Sequence, residues 1–201
     1  QARFKLGATT TTGDIEGEVL NRLPVAVTLE EVERVLKGFI GPIQQIPPMY
    51  SALKHQGKAL YTYARAGVDI PREPREVTIY DLTPDALSGD ELSVTVNCSK
   101  GTYIRVLGED IGAALGCGAH MIALRRIETG CFNLSNAVTL LQLEQMTPEQ
   151  RDATLHPAAC LLEGLPKVTL DSESAFYLQQ GQSVWQPGQS ETGPVGLYGP
   201  G

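Results

Sequence analysis

The chain has 201 residues, 42% hydrophobic and 19% charged, with a formal net charge of −7. That length supports one packed domain and part of a second, and no run approaches the ~18 apolar residues of a membrane span, so a soluble, cytoplasmic protein is expected. The acidic balance excludes a uniformly basic nucleic-acid coat, and four scattered cysteines without a CxxC pair give a zinc site no support; buried free thiols are expected instead.

In chain order, QARFKLG alternates like a strand entered midway. It predicts a strand over residues 2–6 and a chain that starts inside a larger protein. GATTTTGDIEGEV suits a turn-rich loop. TLEEVERVLKGF predicts a helix, with Thr28 as N-cap, Glu31 three residues on to complete a capping box, and Gly38 as the stop. The stretch that follows carries prolines at 42, 47, 48, 71 and 74, which break both ladders and helices. Only KALYTYARAG within it reads as a short helix, ended by Gly67. Long excursions of this kind in compact domains are often functional.

VTIYDL (77–82) and ELSVTVNCS (91–99) predict two strands joined by a turn at 88–90. A helix over about 102–115 ends at Gly116, and HMIALRRIETGCF predicts a further strand. This order implies an α+β fold, a mixed but mainly antiparallel sheet with helices packed on it. After residue 139 the composition turns helical and then connective. VTLDSESAFYLQQGQSVW predicts a strand, a short helix capped at Ser172, a glycine stop and another strand, the start of a small second domain near 166.

Charge is unevenly spread. Residues 54–75 carry Lys54, Lys58, Arg65, Arg72 and Arg75 against Asp69 and Glu73, a net +3, whereas residues 76–99 sum to −5. A basic segment in an acidic chain is either a phosphate-contacting surface or a solvated face. In SKGTYIR (99–105), the unpaired N–H groups of a helix start would lie beside Lys100 and Gly101 and could receive an anion. Tyr103 offers a flat ring and a phenol, and Arg105 a fork that holds a carboxylate. A capped helix with a half-buried tyrosine and a surface ion pair explains the same residues.

Taken together, LGATTTTGDIEGEV, GPIQQIPPMYSALKHQGKALYTYARAG, PREPREVTIYDL and CSKGTYIRVLGEDIGAALGCGAHMIALRRIETG resemble the bacterial tRNA pseudouridine synthase B family, in the expected order over nearly the whole chain. The resemblance implies an isomerase that converts the T-loop uridine of tRNA to pseudouridine-55 by flipping out the base, with no redox cofactor and no metal. It implies that Tyr103 stacks on the flipped base and accepts a proton, that Arg105 orients the catalytic aspartate and keeps it ionised, and that Leu124 walls the uridine pocket. It further implies that residues 47–76 form a thumb-like insertion in which Tyr50, Lys54, Lys58 and Arg65, together with Lys100 outside it, contact RNA. The expected partner is the tRNA T arm, with no membrane or protein partner, and the expected state is a monomer.

The domains then read as part of the synthase domain (1–139), a helical connection (140–165) and an unfinished barrel of the PUA type (166–201). The family's nucleophilic aspartate lies in a G-x-x-D-x-x-A-x-G motif absent from these residues. Asp14 sits in a turn sequence and Asp110 within a helix, so the chain alone is expected to be inactive. Three other readings compete: an RNA-binding module without chemistry, a nucleotide-binding enzyme using the G-x-G of GCGAH (116–120), and a thiol enzyme.

Overall fold

In the computed structural model, residues 1–188 and 192–200 are described. They divide into two units, Gln1–Arg126 and Ile127–Gly201. The first contains β1 (Ala2–Leu6), β2 (Ala8–Thr10), β3 (Val19–Arg22), α1 (Leu29–Lys37) and β4 (Gly41–Gln45). It continues with β5 (Lys54–His55), β6 (Lys58–Ala59), α2 (Leu60–Arg65), β7 (Arg75–Ser88), β8 (Glu91–Cys98), α3 (Ile104–Ala114) and β9 (Ala119–Leu124). Five strands form one sheet in the order β4-β7-β8-β1-β9, with every neighbouring pair antiparallel. The expected α+β architecture is present.

Alternation builds the core. On β1, Ala2, Phe4 and Leu6 are buried on one face, and they join Leu92 and Val94 of β8, Ile79 and Leu82 of β7, Val32 and Leu36 of α1, and Leu107 and Ile111 of α3. The capping box on α1 forms as expected, with the Thr28 hydroxyl accepting from the Glu31 N–H and the Glu31 carboxylate accepting from the Thr28 N–H. Two glycines let α3 lie flat on the sheet. A Cβ at Gly108 would overlap the Phe4 ring, and one at Gly112 would overlap the Ala119 nitrogen.

Strand β7 is longer than the expected 77–82 and runs through Pro84. Proline is tolerated there because β4 covers only residues 75–79 of β7, so the other edge is unpaired beyond that point. The single strand expected from HMIALRRIETGCF is instead divided: β9 stops at Leu124, and β10 (Glu128–Thr129) and β11 (Phe132–Asn133) form a hairpin in the second unit. GCGAH joins a helix to a strand, the reverse of the strand-to-helix turn that a dinucleotide-binding glycine loop needs, which removes the nucleotide reading.

The second unit goes on with α4 (Leu140–Gln145), α5 (Pro148–Asp152), β12 (Lys167–Thr169), α6 (Ser172–Gln179) and β13 (Gly196–Tyr198), the last pairing parallel with β12. The cap of α6 is Asp171, whose carboxylate accepts from the Ser174 N–H at 2.7 Å, and not Ser172 as the sequence suggested. No strand forms at residues 184–185. Residues 189–191 and 201, part of the expected barrel, lie outside the described residues. All four cysteines are free thiols, but only Cys117 is buried and Cys131 is exposed. No helix among the described residues is long and apolar enough to cross a membrane.

Candidate functional site

The site forms where α3 begins. Tyr103 is the N-cap residue, in extended conformation (φ −95°, ψ 105°), and Arg105 is the second residue of the helix. The turn before it is held by the Thr102 hydroxyl donating to the Ser99 carbonyl at 2.9 Å. Tyr103 is half-buried, and it caps nothing with its own side chain.

Arg105 joins three parts of the first unit. Its Nη1 donates to Asp14 Oδ2 at 2.9 Å and to the Thr12 carbonyl at 3.3 Å, and its Nη2 donates to the Tyr50 carbonyl at 2.6 Å. Both ionic side chains are largely shielded, 21% exposed for Arg105 and 18% for Asp14, so the pair is worth more than a surface bridge. The sequence reading left Arg105 without a carboxylate in this chain; the structure supplies Asp14, 91 residues upstream.

The Asp14 loop is shaped to deliver that carboxylate. Its Oδ1 accepts from the Thr12 hydroxyl at 2.6 Å and from the Glu16 N–H at 3.1 Å, a side-chain-closed turn. Gly13 adopts φ +73° and packs so close to Glu109 that a Cβ would sit 2.9 Å from the carboxyl carbon. The loop docks on β9 through the Met121 N–H donating to the Gly13 carbonyl at 2.9 Å. Glu109, one turn after Arg105, is thus pressed against this loop. Burial pushes its carboxyl above the usual range, Asp110 and Asp14 add to the rise, and Arg105 opposes it. Burial raises Asp110 as well.

Gln45, at the end of β4, is a site residue that sequence reasoning missed. It is only 2% exposed. Its Oε1 accepts from the Tyr103 N–H at 3.0 Å and its Nε2 donates to the Tyr103 carbonyl at 3.3 Å. The available signal was a polar residue on the same strand face as Ile43.

The structure does not gather all the expected RNA-contacting residues at this point. Tyr50 is 37% exposed and reaches Arg105 through its carbonyl. Lys54 and Lys58 are exposed on the β5–β6 hairpin, where Lys54 pairs with Ala59 and Lys58 with His55. Arg65 ends α2 and lies over the Tyr61 ring, 5.4 Å from its centroid. Lys100 is exposed in the turn before α3, and Leu124, 54% exposed, ends β9 opposite Ala2. The segment between β4 and β7 closes on itself: the Leu60 N–H donates to the Leu53 carbonyl at 2.7 Å, and Arg72 near its end donates to the Pro47 carbonyl near its start at 3.2 Å. Among the described residues, no group of three or more His, Cys, Asp or Glu side chains is placed to hold a metal ion.

Residues 1–104, from the first strand to the start of α3, match the family model for the N-terminal domain of TruB family pseudouridylate synthases. The chain belongs to the TruB family. Two further TruB models continue the match, the tRNA pseudouridylate synthase B C-terminal domain over residues 105–176 and the pseudouridine synthase II TruB C-terminal region over 166–201.

Among similar proteins is the tRNA pseudouridine synthase B of Methylobacillus flagellatus, 56% identical over 98% of this TruB chain and 66% of the relative. The protein of the same name from Nitrosospira multiformis is 50% identical over 99% of this chain and 65% of its own length. The chain therefore spans just under two thirds of these curated relatives. Among solved structures, a chain in the crystal structure of a Cbf5-Nop10-Gar1 complex matches with TM-score 0.67 and 27% identity, covering 90% of this chain and 47% of that one. A chain in an H/ACA RNP bound to a substrate RNA containing 2'-deoxyuridine shares the fold, with TM-score 0.63 at 23% identity over 91% of this chain and 47% of that one.

Proposed function

We propose that this chain is the larger part of a tRNA pseudouridine synthase acting, as a monomer in the cytoplasm, on the T-loop uridine at position 55. In that reaction the glycosidic C–N bond of the uridine breaks, the uracil turns, a C–C bond forms at C5, and the C5 proton is passed to a base while N1 regains one. The observation that carries the reading is the Arg105 hub, a shielded guanidinium fixed beside Tyr103 by one carboxylate and two carbonyls in a TruB chain. Tyr103 stacks on the extruded base and accepts the C5 proton, Arg105 orients the nucleophilic carboxylate, and Leu124 bounds the uracil. Tyr50, Lys54, Lys58, Arg65 and Lys100 contact the RNA loop, read by shape and splayed bases. The division into 1–139, 140–165 and 166–201, with a PUA-type RNA-binding start in the last, belongs to the same proposal.

Asp14 is not the nucleophile in this reading. Three donors already occupy its two oxygens, and a carboxylate so engaged is a weak attacking group. The same observation favours a second reading in which the isolated chain binds RNA without chemistry. The test is pseudouridine formation on a T-arm stem-loop by the isolated chain and by the complete gene product. Product from the complete protein and RNA binding without product from the chain are expected. Product from the chain alone would refute the missing-nucleophile argument, and none from either would refute the enzyme.

A further inference from the structure

Helices normally begin on Ser, Thr, Asp or Asn, whose side chain accepts from the first free N–H groups. Helix α3 begins on Tyr103, makes no side-chain cap bond, and has no acidic residue in its first turn. The start is specified instead from β4, 58 residues upstream, by the two hydrogen bonds between the Gln45 amide and the main chain of Tyr103. One planar amide thus accepts from the tyrosine N–H and donates to its carbonyl, as a neighbouring strand would. The same carbonyl also accepts from the Leu107 N–H at 3.0 Å, the first bond of the helix. Gln45 is almost fully buried, so these bonds form away from competing water.

We infer that Gln45 is a positioning residue for Tyr103: its buried side-chain amide clamps the tyrosine main chain and so fixes the ring at the start of α3. The inference rests on the proposed pseudouridine chemistry. It also explains why a residue that caps poorly stands at this helix start. The ring is required at that point, and the main chain that carries it is held from a distance, at the Tyr103 N–H and carbonyl. Five residues after Gln45, the Tyr50 carbonyl holds Arg105, so one short segment, Gln45 to Tyr50, sets both members of the site.

The test compares Gln45→Met, which keeps the shape and removes both bonds, with Gln45→Glu, which keeps the acceptor for the Tyr103 N–H. In the complete gene product, kcat on a T-arm stem-loop, normalised to folded protein, is expected to fall about tenfold for Gln45→Met with KM within about twofold, and Gln45→Glu to lie between. Amide hydrogen exchange on the same proteins reads the clamp without activity: exchange at Tyr103 should rise about tenfold in Gln45→Met while the β1 and β8 amides keep their protection. Unchanged exchange at Tyr103, or faster exchange with unchanged kcat, overturns the inference. If the unsubstituted protein makes no pseudouridine, the functional reading fails separately and the exchange result alone decides the clamp.

Discussion

Asp14→Asn tests the centre of the site. The substitution keeps the size of the side chain and one oxygen for the Thr12 hydroxyl and the Glu16 N–H, but it turns an amide NH2 toward the Arg105 guanidinium. Removing one partner of a buried pair costs about 3–5 kcal/mol when nothing else receives the remaining charge. Arg105 keeps the Thr12 and Tyr50 carbonyls, and about a fifth of each side chain meets water, so the expected loss is about 2–3 kcal/mol. For a chain of this size that is a fall of roughly 4–12 °C in Tm. Thermal and urea unfolding measure it, and a double-mutant cycle with Arg105→Met isolates the coupling. A loss below about 0.5 kcal/mol, the range of ordinary surface substitutions, would refute the claim that this pair anchors the site.

Three further outcomes are expected. The raised carboxyl of Glu109 means that the folded protein binds its proton more tightly than the unfolded chain, so this group's contribution to stability falls as pH rises from the ordinary carboxylate range through the raised value. Glu109→Gln should flatten that slope and leave the protein more stable than the unsubstituted form above the window; parallel stability–pH curves would count against it. Gly112→Ala should cost at least about 1–3 kcal/mol in urea unfolding, because the new methyl meets the backbone of Gly118 and Ala119; a neutral result would show that α3 can shift off the sheet. If Lys54 and Lys58 neutralise phosphates, changing each to Ala should lower the slope of log K against log salt for T-arm RNA by about 0.7–0.9 without changing Tm. An unchanged slope removes them from the RNA-contacting set.

Much of the frame was legible because it is local. The capping box of α1, the stop of α3 near Gly116 and the turn at 88–90 each depend on residues a few positions apart. Tyr103 and Arg105 were singled out by residue type and by the family pattern, and the structure brings them to one helix start. Asp14 was passed over because its role is a contact across 91 residues, and a short aspartate turn reads the same with or without a partner. Gln45 was missed for a similar reason: a glutamine followed by Ile and two prolines looks like the edge of a loop until its partner is known. The extra length of β7 was hidden by Pro84, whose tolerance depends on where the neighbouring strand ends. The break after Leu124 was invisible because the apolar pattern continues across two arginines into the second unit.

The Tyr50 carbonyl belongs to the segment between β4 and β7, yet its hydrogen bond ends on Arg105. One atom is therefore shared by the surface that carries Lys54 and Lys58 and by the guanidinium at the start of α3. Thermodynamic linkage makes such sharing reciprocal. A ligand that moved residues 47–76 would therefore act on Arg105, and by the same amount of free energy a change at Arg105 would act back on those residues.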